Sequence, residues 1–245
     1  MRTTKIEWTE KTWNPITGCT KLSTGCAHCY AEIMARRLQA MGMEKYANGF
    51  IPSMHESVLN EPFKWKQSHI VFVCSMSDLF HDSIPFSFID KVMDIIRKAG
   101  HHRFQILTKR ATRMADYFME ADIPANVWLG VTVEAPSELS RIESLRGLQA
   151  TIRFLSCEPL VECLGEIDLT GIDWFIVGGE SGVKARPMEP AWVRSIYQQA
   201  ERQGIPFFFK QWGAWGSDGV KRNKKANGQV LDGRIIQMMP QMAMR

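Results

Sequence analysis

The sequence predicts an α/β protein with a parallel sheet, either an open doubly wound sheet or a partial or full (β/α) barrel of six or seven strands. Three observations support this fold class. Apolar runs of strand length recur along the chain, segments with helical periodicity separate them, and polar residues follow directly after the runs. A length of 245 residues with 45% hydrophobic residues is enough for one large core.

Strands are predicted where β-branched or aromatic residues run together, as in buried parallel sheets. The six runs are Ile70–Cys74, Arg103–Leu107, Val127–Val133, Thr151–Leu155, Asp173–Val177 and Pro206–Phe209. Thr12–Thr17 is predicted as a first strand, although Pro15 lacks the N–H that a strand ladder uses. The helices predicted between and before these runs are Tyr30–Met41, Phe88–Ala99, Ala111–Glu120, Ser137–Leu145 and Ala191–Gln203.

Polar residues stand at the carboxyl end of six predicted strands. They are Ser75, Ser77 and Asp78; Thr108, Lys109 and Arg110; Glu134; Ser156 and Glu158; Gly178, Gly179, Glu180 and Ser181; and Lys210, Gln211 and Trp212. Both candidate folds place their functional sites at the carboxyl ends of the strands. We therefore expect these six groups to share one mouth.

The strongest local pattern is a loop in which Cys19, Cys26 and Cys29 are spaced Cys-x6-Cys-x2-Cys. Three nearby thiolates can ligate a [4Fe-4S] cluster and leave one iron open, and Gly18 and Gly25 allow the backbone to wrap around it. Two alternatives remain at this point. One is a structural zinc site completed by a histidine (His28, His55 or His81), and the other is a set of free thiols.

The glycine-rich turn after the sixth predicted strand could approach a ligand closely through Gly178 and Gly179, with Glu180 accepting from an amine or a hydroxyl. A plain tight turn is the alternative. Asp78, Glu134 and Glu158 could bind ribose hydroxyls or an ammonium group, although each alone could equally be a cap or a solvated acid.

Basic and aromatic residues supply candidate contacts for an anionic substrate. Phosphate could be bound by Lys109, Arg110, Arg113 and Lys210, and a ring could stack on Trp212. The simpler interpretations are a solvated basic surface and a tryptophan packed in the core. The net charge of +4 permits a nucleic-acid partner without requiring one.

The chain organisation predicted is a single barrel-like domain over residues 1–216 and a basic C-terminal tail over residues 217–245 that packs on or flanks it. No apolar run approaches the roughly 20 residues that cross a bilayer, and the N-terminus is polar, so we expect a cytoplasmic protein without membrane contact.

Taken together, these motifs resemble the set found in a phage and bacterial family of three-Cys-motif proteins of unknown function. The segments that carry the resemblance are residues 13–19, 26–30, 76–81, 107–110, 130–134, 156–160, 178–182, 209–213 and 231–234. That family is similar to radical S-adenosylmethionine (SAM) enzymes. The resemblance implies a partial (β/α) barrel, a [4Fe-4S] cluster on the three cysteines and SAM as a second cofactor.

Further roles follow from the same resemblance. His28 would pack near the adenine of SAM, and the remaining cofactor contacts would come from Asp78, Glu134, Gly178, Gly179 and Glu180. The spacing departs from the Cys-x3-Cys-x2-Cys of radical SAM enzymes. With Thr12–Thr17 counted as the first strand, the glycine turn follows the sixth strand, Asp173–Val177, rather than the second, Ile70–Cys74, after which Asp78 is the candidate substitute.

The substrate is not identified by the sequence, and a nucleotide or nucleic acid is the hypothesis, with Glu158, Lys210 and Trp212 among the candidate contacts. Two other functions stay open. One is a zinc-stabilised nucleic-acid-binding or processing protein in which Lys109, Arg110, Arg113 and the tail contact phosphates. The other is that this chain is a partner subunit without catalytic activity of its own.

Overall fold

The structure is a computed structural model, and it describes residues 4 and 6–241. Its main sheet has seven parallel strands, each paired with the next one along the chain. They are β1 (Lys11–Trp13), β2 (Ile70–Val73), β3 (Arg103–Thr108), β4 (Val127–Thr132), β5 (Ile152–Cys157), β6 (Trp174–Gly178) and β7 (Phe207–Gln211).

This strand order distinguishes between the two predicted sheet types. A doubly wound sheet reverses direction at a switch point, whereas a (β/α) barrel adds strands in chain order. Here the order is strictly sequential, and within the described residues β1 and β7 do not pair with each other. The sheet is therefore a half-barrel, which confirms the predicted α/β fold with a partial (β/α) barrel.

The helices lie between the strands, as the periodicity predicts. They are α1 (Tyr30–Ala40), α2 (Phe86–Lys98), α3 (Ala111–Glu120), α4 (Ser140–Arg146), α5 (Pro190–Arg202) and α6 (Lys224–Asn227). Short 3₁₀ turns occupy Thr24–Cys26, Glu44–Tyr46, Glu56–Val58, Glu61–Lys64 and Pro136–Glu138. Two small antiparallel pairs join Ile16–Thr17 to Ser53–Met54 and Val230–Leu231 to Arg234–Ile235.

Two predicted elements differ in detail. The predicted strand Thr12–Thr17 is divided, because β1 ends at Trp13 and the chain leaves the sheet at Asn14 and Pro15. The predicted helix Ser137–Leu145 begins as a 3₁₀ turn at Pro136 and becomes α-helical only at Ser140.

Alternate residues of each strand build two apolar layers, because successive side chains point to opposite faces of a sheet. One layer packs the helices on the convex face. The other fills the concave face with Trp8, Phe72, Trp128, Ile152, Phe154, Trp174, Ile176 and Phe208. Gly130 is part of this fit, since a Cβ there would lie 2.4 Å from the Phe154 ring. The inside of the half-barrel is thus largely filled, and the polar residues are left at its carboxyl edge.

The C-terminal segment covers the outer edge of β7. Phe209 N donates to Ile236 O at 2.7 Å, and Met238 N donates to Phe207 O at 3.0 Å. The indole N–H of Trp174 donates to Met238 O at 2.8 Å. An open sheet edge would otherwise present unpaired backbone groups, so this segment satisfies them. The described part of the chain contains no helix of a length and hydropathy that could cross a membrane.

Candidate functional site

The cysteine loop lies across the carboxyl edge of the half-barrel. Gly18 N donates to Met76 O at 3.0 Å and Cys19 N donates to Phe50 O at 3.0 Å, which fixes the start of the loop beside the chain that leaves β2. Gly18 has φ +81°, and a Cβ at this position would lie 2.3 Å from Ile51 O. Only glycine meets both requirements here.

The three cysteine thiols of the loop are free and half-buried. Burial and the nearby Asp78 carboxylate raise the pKa of Cys19 to about 11, against the opposing effect of Arg110. Burial also raises the pKa of Cys29. The charge of Cys26 contributes to both of these increases in pKa.

The loop supplies the type of donor that a [4Fe-4S] cluster uses. Three thiolates can each ligate one iron of such a cluster and leave the fourth iron open, and Cys19, Cys26 and Cys29 are three free thiols. Among residues 4 and 6–241, no group of three or more His, Cys, Asp or Glu is arranged so that it could hold a metal ion.

The histidines proposed as zinc ligands have other partners. His81 Nε2 lies 2.9 Å from Thr20 Oγ1, and His55 Nε2 lies 2.7 Å from Thr17 Oγ1. His28 Nδ1 lies 3.2 Å from Glu180 Oε2. The zinc alternative therefore gains no support from the histidine positions.

Asp78 lies at the centre of the hydrogen bonds that connect β2 and β3. Its carboxylate accepts from Thr108 Oγ1 at 2.7 Å, Phe80 N at 3.0 Å, Lys109 N at 3.1 Å and Arg110 Nη1 at 3.3 Å. Four donors account for most of the lone-pair sites of one carboxylate. Asp78 therefore holds the ends of two strands together below the cysteine loop.

Arg110 connects this carboxylate to the cysteine loop. Its side chain is only 5% exposed. Nη1 also lies 3.6 Å from Cys19 Sγ, Nη2 lies 3.0 Å from Thr20 Oγ1, and Nε lies 3.5 Å from Asp82. The structure thus turns the guanidinium inward, against a predicted metal ligand.

Glu134 anchors the middle of the loop. It is fully buried, and it accepts from Ser23 Oγ, from Lys109 Nζ at 3.1 Å and from Arg141 Nη1 at 2.9 Å. Burial alone would raise the pKa of this carboxyl, but the three donors hold it below its usual value. The loop can come this close because Gly25 has no side chain, and a Cβ there would lie 2.6 Å from Glu134 Oε1.

Glu180 positions His28 next to the third cysteine. Arg186 donates to it three times, from N at 2.8 Å, Nε at 3.0 Å and Nη2 at 2.8 Å, and His28 Nδ1 provides the fourth contact. These partners outweigh the effect of burial and lower the pKa of Glu180.

The glycine turn that carries Glu180 interlocks with the loop after β7. A Cβ at Gly179 would lie 2.0 Å from Trp212 O, and one at Gly213, where φ is +84°, would lie 2.2 Å from Glu180 O. Gly178 lies at the end of β6, where a Cβ would contact Glu158 at 3.4 Å. Close backbone packing therefore explains Gly179 and Gly213, whereas at Gly178 a side chain would meet only ordinary contacts.

Glu158 and Lys210 form an ion pair between the ends of β5 and β7. The indole N–H of Trp8 also donates to Glu158 at 3.2 Å. Two candidate substrate contacts are thus brought together, and a tryptophan that precedes β1 joins them.

Two other candidates lie elsewhere. Arg113 Nη2 donates to Ile84 O at 2.7 Å, and its guanidinium lies 4.4 Å from the centre of the Phe86 ring, so it packs on the start of α2. Trp212 is 3% exposed, and its indole N–H donates to Val230 O at 2.9 Å. The structure places this ring in the core rather than at the mouth.

Sequence reasoning missed Ser23, Arg141 and Trp8, which all contact predicted site residues. Ser23 and Glu134 are 111 positions apart, and Trp8 and Glu158 are 150 apart. No local spacing connects such pairs. Arg141 is on the exposed-looking helix α4, where an arginine ordinarily indicates a solvated face.

Comparisons with known proteins give a family and a group of solved structures. The model of a family described as "Protein of unknown function (DUF5131)" matches residues 3–240. No curated protein matches the chain. One mutant of spore photoproduct lyase aligns at 15% identity with a TM-score of 0.46, over 92% of this chain and 74% of that one. A mutant with bound AdoMet and dinucleoside spore photoproduct aligns at 11% identity with a TM-score of 0.43, over 82% and 65%.

Proposed function

We propose that this chain, which belongs to the DUF5131 family, is a radical-SAM-like iron–sulfur enzyme whose cluster is held by Cys19, Cys26 and Cys29. The observation that carries the proposal is the position of three free thiols on one loop at the carboxyl edge of a half-barrel with sequential strand order. Carboxyl ends of strands are where (β/α) folds place their chemistry. The chain belongs to a family of unknown function, as predicted. That this family is of phage and bacterial origin and carries a three-Cys motif stays a prediction.

When bound, a [4Fe-4S] cluster with one open iron would supply the electron for the reductive cleavage of SAM. The residues of the chain would prepare the site for it. Glu134 and Ser23 hold the loop down, and Arg110 holds a cation against Cys19, where it stabilises the thiolate form of a ligand. His28, oriented by Glu180, presents a ring beside Cys29.

The six predicted cofactor contacts divide into two groups on the basis of their hydrogen bonds. Asp78 and Glu180 each accept four donors, and Glu134 accepts three, so we propose that these carboxylates shape the site without binding SAM directly. His28, whose side chain is 28% exposed, and the backbone of Gly178 and Gly179 are then the contacts proposed for SAM.

Anaerobic reconstitution with iron and sulfide tests the cluster. We expect a brown protein with about four irons and four sulfides per chain. Replacing all three loop cysteines with serine should abolish this iron content, and Cys163→Ser, which changes an exposed cysteine outside the loop, should leave it unchanged. A colourless protein that binds one zinc would refute the proposal.

SAM chemistry is a separate test on the loaded protein. Dithionite and SAM should yield 5′-deoxyadenosine, and His28→Ala should weaken SAM binding while the iron content is retained. A fully loaded protein that neither binds nor cleaves SAM would limit the function to an iron–sulfur protein without SAM.

The substrate class that we propose is a nucleotide or nucleic acid. Its support is the net charge of +4 and the position of Lys109 and Lys210 at the same edge as the cysteine loop, where they are paired with Glu134 and Glu158. Binding that weakens with rising salt, and that is lost in a Lys109→Ala/Lys210→Ala variant, would agree with this class. Binding insensitive to salt would contradict it.

A further inference from the structure

We infer that Arg110 and Asp78 set the reduction potential of the iron–sulfur cluster in opposite directions, with Arg110 raising it and Asp78 lowering it. The inference rests on the proposed function, because it requires a cluster that is ligated by Cys19. Both residues act on the cluster through the surroundings of the Cys19 sulfur, so they are positioning residues rather than catalytic ones.

The guanidinium of Arg110 lies against the sulfur of Cys19. Nη1 is 3.6 Å from Sγ, within the range of an N–H···S hydrogen bond. The arginine side chain is buried, so bulk water and salt screen its charge only weakly. Hydrogen bonds to the sulfurs and the net charge nearby are among the factors that set the potential of an iron–sulfur cluster. Arg110 supplies both of these factors.

Other partners hold the guanidinium in this position. Nη2 donates to Thr20 Oγ1 at 3.0 Å, and Nε lies 3.5 Å from Asp82 Oδ2. Nη1 also pairs with Asp78 Oδ2 at 3.3 Å. None of these three contacts involves the sulfur of Cys19. We therefore expect the cation to stay beside Cys19 when this residue ligates iron.

Asp78 places a negative charge directly behind the guanidinium. The same nitrogen, Arg110 Nη1, contacts both Cys19 Sγ and Asp78 Oδ2. Asp78 is buried as well, so its charge is also screened only weakly. In the intact pair the two charges largely offset each other at the cluster. Removing one member of the pair leaves the effect of the other unopposed.

The sign of each effect follows from the charge of the added electron. Reduction transfers one electron from an external donor, here dithionite, to the cluster, and no bond to the protein forms or breaks. The reduced cluster carries one more negative charge, so a nearby cation favours reduction and a nearby anion opposes it. The potential should thus fall when Arg110 is neutralised and rise when Asp78 is neutralised. A role in folding alone would not produce shifts of opposite sign.

A redox titration of the reconstituted whole chain without SAM, followed by the electron paramagnetic resonance signal of the reduced cluster, tests the inference. Arg110→Met should lower the equilibrium constant for reduction about tenfold or more, which is about 59 mV or more for a one-electron couple. Asp78→Asn should raise this constant by a similar factor.

Arg36→Met is the matched control. Arg36 lines the pocket that Cys19 also lines, so it is another cation beside the cysteine loop. Its side chain is 74% exposed, however, and water and salt screen its charge. This variant should change the equilibrium constant for reduction by less than about twofold.

Two further variants cover the case in which a single neutral substitution folds poorly or holds no iron. Arg110→Lys keeps a charge at the buried position but loses the fork of donors, so it should lower the potential by less than Arg110→Met does. Arg110→Met/Asp78→Asn leaves no unpaired buried charge. Its potential should lie slightly below that of the wild-type chain, because the two opposed charges are removed together and the N–H···S hydrogen bond is lost.

Iron content is measured first for each variant, so that potentials are compared only between loaded proteins. The inference is overturned if Arg110→Met and Asp78→Asn shift the potential in the same direction, or if neither shifts it more than Arg36→Met. If a single neutral variant holds no cluster, Arg110→Lys and the double variant decide, and wild-type potentials in both overturn it. A wild-type chain that forms no cluster would show that the proposed function is wrong, and this inference would fall with it. A cluster with unshifted potentials overturns this inference alone.

Discussion

Replacing Arg110 with methionine tests whether this arginine clamps the cysteine loop to the half-barrel. The wild-type side chain is 5% exposed and pairs at 3.3 Å with Asp78, which is itself 8% exposed. Methionine keeps most of the length and volume of the side chain, but removes the charge and every donor. The variant therefore leaves a buried carboxylate without its counterion.

The expected cost follows from that burial. Breaking a buried ion pair typically costs about 3–5 kcal/mol. Asp78 keeps three other donors, so we expect the lower end of that range, about 3 kcal/mol. In a chain of this size 1 kcal/mol lowers the melting temperature by roughly 2–4 °C, which gives a loss of roughly 6–12 °C.

The assay is thermal unfolding of the metal-free protein under reducing conditions, so that cluster loss does not contribute. Arg36→Met is the matched control, because Arg36 pairs with Glu32 at 2.6 Å but is 74% exposed, and such pairs are worth about 0–1 kcal/mol. A double-mutant cycle with Asp78→Asn should give a coupling energy of about 2 kcal/mol. The reasoning fails if Arg110→Met is no more destabilising than Arg36→Met, or if the cycle is additive.

Three further predictions concern other parts of the structure. Gly179→Ala should lower the free energy of unfolding by about 2 kcal/mol or more, because the new Cβ meets a backbone carbonyl at 2.0 Å, whereas Gly147→Ala, with its nearest neighbour at 3.9 Å, should change it by no more than about 0.5 kcal/mol. Burial lowers the pKa of His102, so as the pH falls the unfolded chain binds a proton before the folded chain does. The free energy of unfolding should therefore decrease as the pH is lowered below about 6.5. Denaturant unfolding measured at a series of pH values should show a smaller decrease for His102→Asn. Glu134→Gln should release the cysteine loop, and Cys26 of the metal-free protein should then react faster with a thiol reagent; an unchanged rate would show that Glu134 does not anchor the loop.

The sequence predicted the fold where the signal is local. Apolar runs of four to seven residues identified the strands β2 to β7, and helical periodicity identified α1, α2, α3 and α5 to within about two residues. Both signals arise from which side chains face the core, and this requires no knowledge of the partner element. The first strand was predicted too long, because β1 ends at Trp13 and the chain leaves the main sheet before Pro15, which has no N–H to donate.

The candidate site was predicted in part for the same reason. The cysteine loop is a local pattern, and the rule that parallel strands share a carboxyl edge brought Asp78, Glu134 and Glu180 to one place. The rule does not say which charges remain free. Arg110 contacts Cys19 of the cysteine loop, and Trp212 packs in the core. Lys224 and Lys225, in a tail that resembles ordinary solvated surface, line a pocket.

The amino-acid sequence by itself determined the element types, their order and the presence of three thiols in one short loop. Only the tertiary structure decided that the sheet is an open half-barrel, and which partner each polar side chain has. The physical reason is that a hydrogen bond or an ion pair requires two groups within about 3–4 Å of each other. Glu134 meets Ser23 across 111 positions, and Glu158 meets Lys210 across 52, because seven strands in sequential order curve their carboxyl ends toward one another.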